Sequence, residues 1–241
     1  MGRAAALLGV LAALALYGAL HERLWNASTW WDVAFIACVL MPLTFAVDWV
    51  LLPMRLSRLL LPVALALAVL TVLFHAAGWA TPENLAKLCA VTLFGFWFLG
   101  YFEAVSWVVL VAVIIPWVDA FSVFSHRGPT HRIVENHPYA LTVLSYAFPI
   151  PGKNNAAYLG VPDLLFFALF LAAAARFGLR IGWTWVALVA SFGATIALAV
   201  ELRLAGLPAL PLLSVAFLAP NADLLWMRMR SERPAISSED E

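Results

Sequence analysis

The sequence predicts an all-α, polytopic bundle of transmembrane helices with about eight spans, and three observations carry that prediction. Hydrophobic residues make up 64% of the 241 positions and charged residues only 12%, with a mean hydropathy of +0.93. Soluble domains are nearer half apolar and a quarter charged. Apolar stretches long enough to cross a bilayer, about 20 residues at 1.5 Å each, recur along the chain. A single long polar segment, 125–156, interrupts them.

The spans read by that length rule are 4–20, 31–53, 59–80, 85–102, 104–124, 157–176, 181–204 and 208–227. The first follows Arg3 and resembles a signal peptide in outline. No small-x-small cleavage site precedes His21, so it is read as a span. The run 85–124 is too long for one helix, and Gly100 and Glu103 mark the turn. Four regions follow: front helices 1–124, a polar inter-helix loop 125–156, a back set of helices 157–227, and a charged, disordered tail 228–241. No repeat at a fixed period is present, which gives inverted-repeat transporters no support.

Charge excludes some functions and leaves orientation open. Fourteen Lys+Arg balance fourteen Asp+Glu, so there is no electrostatic case for nucleic acid. Placing 125–156 inside puts Arg23, Lys87, Arg127, Arg132, Lys153 and Arg203 inside and the other eight basic residues outside, which decides nothing by the positive-inside rule. Cys38 and Cys89 lie in apolar runs and form neither a disulfide framework nor a metal site. His126, His131 and His137 are spaced by five and six residues, without helical or finger periodicity, and read as a solvated loop. No metal and no cofactor is expected. Arginine over lysine and the abundance of Ala and Leu suggest a bacterial cell membrane.

Acids in hydrocarbon are costly, so each calls for a reason. Asp48, Glu201 and Asp223 each have a basic residue nearby in sequence, Arg55, Arg203 and Arg228, and are expected to pair with it or reach water. Asp119 and Asp163 have no such partner. Asp119 follows Pro116 by three residues, and Asp163 has no cation between Lys153 and Arg176. They are expected to be neighbours on the two spans flanking the polar loop. Two close carboxylates cannot both ionise and so share a proton, which lets one act as base on a water while the other donates a proton. The segment Leu207-Pro208-Ala209-Leu210-Pro211 opens the last span. Two prolines three apart predict irregular or extended backbone able to pair with an extended peptide; a plain helix start is the alternative.

These three features, in this order, resemble the presenilin and signal peptide peptidase family of intramembrane aspartyl proteases. The family carries Tyr-Asp, Gly-x-Gly-Asp and Pro-Ala-Leu; the matching positions are Val118-Asp119, Gly160-Val161-Pro162-Asp163 and Pro208-Ala209-Leu210. Arg127-Gly128-Pro129 and Arg132-Ile133-Val134-Glu135 are similar to the family's stretch after the first aspartate. The likeness covers roughly residues 105–225. It implies catalytic Asp119 and Asp163, a substrate contact at Gly160, and substrate binding by Pro208, Ala209 and Leu210. It also implies transmembrane helices of other membrane proteins as substrates, in a lipid environment. Two positions depart from the pattern: Trp117-Val118 stands where the family has a tyrosine, and Pro162 where it has the second glycine. If Pro162 begins a helix, Asp163 falls in its first turn, where the helix dipole favours a carboxylate. Three rival readings fit parts of the pattern. Pro162 favours a non-catalytic scaffold that binds helices. Paired acids alone fit a proton-coupled transporter or channel equally well. Prepilin peptidases also use two aspartates, without the Pro-Ala-Leu.

Overall fold

The computed structural model describes residues 2–124, 143–204 and 207–232. The described residues are mostly helical. Helix α1 spans Gly2–Leu20, α2 Thr29–Phe35 and α3 Met41–Leu51, the last two joined through a π turn at Ile36–Leu40. Helix α4 spans Leu60–Ala76, α5 Ala80–Phe98 and α6 Val105–Phe124. A short antiparallel hairpin follows, β1 Ser145–Pro149 and β2 Ala156–Gly160. Helices α7 (Val161–Arg176), α8 (Ile181–Glu201), α9 (Leu210–Leu218) and α10 (Ala222–Glu232) complete it.

Among the described residues, six helical segments are long and apolar enough to cross a membrane: Gly2–Arg23, Thr29–Leu56, Ala80–Tyr101, Val105–Val123, Ile181–Glu201 and Leu210–Glu232. That places the chain among integral membrane proteins. The two other predicted spans are helices too, but shorter, at 17 residues for α4 and 16 for α7. The break predicted near Gly100 and Glu103 falls where α5 gives way to a 3₁₀ turn at Leu99–Tyr101 before α6. Helix α6 runs unbroken through Pro116.

Helix α7 is the centre of the bundle. From Phe167 to Ala174 every side chain is buried, as expected of a helix apolar all round. Phe167 stacks on Phe45 of α3 at 4.0 Å, Phe45 on Phe192 of α8 at 5.1 Å, and Phe170 on Phe217 of α9 at 4.6 Å. These rings tie front and back halves into one core. Phe166 is half-buried beside Phe170. Both phenylalanines after Asp163 therefore pack.

Three expectations are corrected. Asp48 does not reach Arg55 or water: it is 1% exposed, and its Oδ1 accepts the Thr92 hydroxyl at 3.0 Å across the α3–α5 contact. Asp223 pairs with Arg180 through two contacts of 2.6 and 2.7 Å, and not with Arg228, because the turn before α8 brings Arg180 to the start of α10. The tail does not begin at Arg228. Helix α10 continues to Glu232, whose carboxylate accepts the Val105 and Ser106 N–H groups at 2.7 and 3.2 Å. Those donors at the start of α6 have no partner within their own helix, so Glu232 caps α6 and ties the last turn of α10 to it. The rest of the predicted tail, 233–241, lies outside the described residues.

Candidate active site

Asp119 sits in the last turns of α6, half-buried, and its Oδ2 accepts the N–H of Leu210 at 3.0 Å. Leu210 is the first residue of α9, so this N–H is one that a helix leaves unpaired at its start. Asp163 is the third residue of α7, and its Oδ2 accepts the Gly160 N–H at 3.1 Å. Each carboxylate thus lies at a helix N-terminus and takes one backbone donor there, where the helix dipole favours negative charge. The helix-terminus argument that singled out Asp163 from sequence therefore applies equally to Asp119. The two carboxylates are also close enough for the charge of Asp119 to bear on Asp163. Residues of α6 and the start of α9, 91 positions apart in sequence, thus meet, and α7 packs against both helices.

Gly160 ends β2 and caps α7, with φ −62° and ψ 144°. A Cβ here would lie 3.1 Å from Asp163 Oδ2, a close approach that glycine avoids. Pro162 occupies the second position of α7 and is exposed. In the first turn a missing N–H loses no intrahelical bond, so proline fits this backbone as it stands. Val118 and Trp117 lie on the outer face of α6, with Trp117 77% exposed.

The Pro208 segment is shorter than the sequence suggests. Pro208 and Ala209 are buried and non-helical, but α9 already begins at Leu210 with Pro211 in its first turn, and the Ala209 carbonyl is taken by the Leu213 N–H at 3.1 Å. Little extended backbone is left there to pair with a peptide.

An open strand edge exists elsewhere, on the hairpin that the polar-loop reading did not include. Ser145 pairs with Gly160, Ala147 with Tyr158 and Pro149 with Ala156. Ala147 directs its N–H and C=O away from β2, to Asn84. In an antiparallel ladder the residue opposite such a position also turns its groups outward. Tyr158 and Ala156 accordingly face the outer edge of β2, where among the described residues their N–H and C=O groups have no hydrogen-bond partner. That edge leads through Gly160 directly to Asp163. The alternating apolar residues of Tyr146-Ala147-Phe148 were the available signal; Tyr146 and Phe148 are buried and burial pushes the Tyr146 phenol up to about 12.

His126, His131, His137 and the Arg127–Glu135 stretch lie outside the described residues. No protein-family model matches the chain, and neither does any curated protein or solved structure.

Proposed function

We propose that the protein is an intramembrane aspartyl endopeptidase that hydrolyses peptide bonds within transmembrane helices of other membrane proteins. The proposal includes a presenilin-like bundle of eight spans, with α4 and α7 crossing beside the six longer helices. It also includes residence in a bacterial cell membrane. The observation that carries the reading is the meeting of Asp119, Asp163 and Leu210, the three features whose order in sequence resembles that family.

The chemistry follows from the geometry. A helix hides its peptide bonds in its own hydrogen bonds, so a substrate has to unwind before it is cut. The outer edge of β2, without a partner among the described residues, offers N–H and C=O groups from Ala156 and Tyr158 to an unwound stretch, which adds as a strand. Strand pairing then leads the peptide past Gly160 to the carboxylates. Sharing one proton, the pair acts in both senses: the ionised carboxylate takes a proton from water as its oxygen attacks the scissile carbonyl carbon, and the protonated one donates to the carbonyl oxygen. Collapse of the tetrahedral intermediate breaks the C–N bond, and a carboxyl proton passes to the leaving nitrogen. Pro208 and Ala209 are assigned a supporting role behind Leu210, which holds Asp119.

The test is photo-crosslinking of the purified protein, in detergent or lipid, to a hydroxyethylene isostere that mimics the tetrahedral state. Wild type is expected to label, and Asp119→Asn and Asp163→Asn each to reduce labelling at least a hundredfold while remaining folded. A folded wild-type protein that does not label overturns the endopeptidase reading in favour of a helix-binding scaffold. Labelling that survives both substitutions overturns the roles of the two aspartates.

A further inference from the structure

The two edges of the hairpin are treated differently. On β2 the outward groups of Ala156 and Tyr158 have no hydrogen-bond partner among the described residues. On β1 the outward groups are occupied by side chains from the front helices. The Ser145 carbonyl accepts Lys87 Nζ at 2.9 Å, and the Pro149 carbonyl accepts the Tyr17 hydroxyl at 2.6 Å. Between them, Ala147 donates its N–H to Asn84 Oδ1 at 3.3 Å and accepts Asn84 Nδ2 at 3.2 Å. A carboxamide carries a donor and an acceptor side by side, as a peptide group does. Asn84 thus gives Ala147 what a neighbouring strand would give. Lys87 is itself buried and held by Glu83 at 3.0 Å one turn earlier on α5, so this occupation is built into the helix.

We infer that Asn84, with Lys87 and Tyr17, is a positioning residue that closes the β1 edge and so confines an incoming peptide strand to β2. The inference rests on the endopeptidase reading. Its physical basis is distance. Strands in a sheet lie about 4.8 Å apart, so a peptide added to β2 lies one spacing from the strand that runs into Asp163. A peptide added to β1 would lie two spacings away, about 10 Å, with β1 between it and the carboxylates. An unclosed β1 edge would be an unproductive competitor for the same peptide.

The test uses the full chain in detergent and two readouts. Hydrogen exchange at the Ala147 amide is expected to be slow in wild type and at least tenfold faster in Asn84→Ala, with the Tyr146 and Leu159 amides changed less than twofold. Asn84→Asp, which keeps the acceptor but loses the donor, is expected to retain most of that protection and guards against a folding defect in the alanine variant. The second readout compares two isostere photoprobes, one minimal and one extended by five residues of peptide. Asn84→Ala is expected to weaken the extended probe about tenfold more than the minimal one. Equal weakening of both probes, or rapid Ala147 exchange in wild type, overturns the closed edge. Failure of both probes on wild type, with Ala147 still protected, overturns the endopeptidase reading.

Discussion

Pro162 is the residue at which the chain departs most visibly from the family pattern it resembles, and the structure supplies a local reason to tolerate it. The first turn of a helix has no intrahelical acceptor for its N–H groups, and Pro162 is at the second position with its ring exposed. Asp163 still takes the Gly160 N–H, a contact that does not involve residue 162. Pro162→Gly is therefore expected to lower stability by about 1 kcal/mol through greater freedom of the unfolded chain, read as a drop in Tm, and to leave photoprobe labelling within threefold of wild type. A tenfold gain in labelling would show instead that Pro162 restrains the site. The two aspartates were legible because neither has a cation near it in sequence, and the same logic failed for Asp48. Arg55 stands two turns on, yet Asp48 Oδ1 is bonded to Thr92 on another helix and Oδ2 is buried with no partner among the described residues. Sequence distance to a charge cannot register a hydroxyl brought up by tertiary packing.

At the level of elements, the hairpin was the feature the sequence concealed. Prolines, glycine and asparagines around 149–155 read as loop, and each strand is only five residues long, too short for its alternation to outweigh them. What makes so small a sheet stable is its attachment. The turn of the hairpin is held against the front helices by Gly152, whose N–H donates to the His21 carbonyl at 2.7 Å, and by Lys153, paired with buried Asp32 at 2.5 Å. Gly152 has φ +66°, and a Cβ there would lie 2.7 Å from the Trp25 carbonyl carbon and oxygen. Gly152→Ala is expected to cost about 1–2 kcal/mol for the left-handed backbone alone, with the contact adding to it. The measurement is hydrogen exchange, where amides of β1 and β2 should speed up several-fold more than those of α7. A uniform change across both would mean the hairpin does not open separately from the bundle.

For the whole molecule, the helix order predicted from hydropathy is the order observed, because a bilayer-length apolar run is a strong signal and needs no knowledge of neighbours. The arrangement around α7 was not legible, since aromatic stacking between Phe45, Phe167 and Phe192 joins residues 147 positions apart. That arrangement bears on topology. Helix α7 has only 16 residues but is enclosed by other helices, so its length need not match lipid. If α4 and α7 both cross, five spans precede the hairpin and three follow it, which puts both ends of the described chain on one side and the hairpin on the other. Single cysteines placed at Gly2, Asn154 and Glu232, in a background lacking Cys38 and Cys89, test this with a membrane-impermeant maleimide on oriented vesicles. Positions 2 and 232 are expected to label from one side and position 154 from the opposite side. Labelling of 154 and 232 from the same side would mean that one of the three helical segments after the hairpin does not cross. Labelling of 2 and 154 from the same side would remove one of the first five, with α4, the shortest of them, the first to reassign.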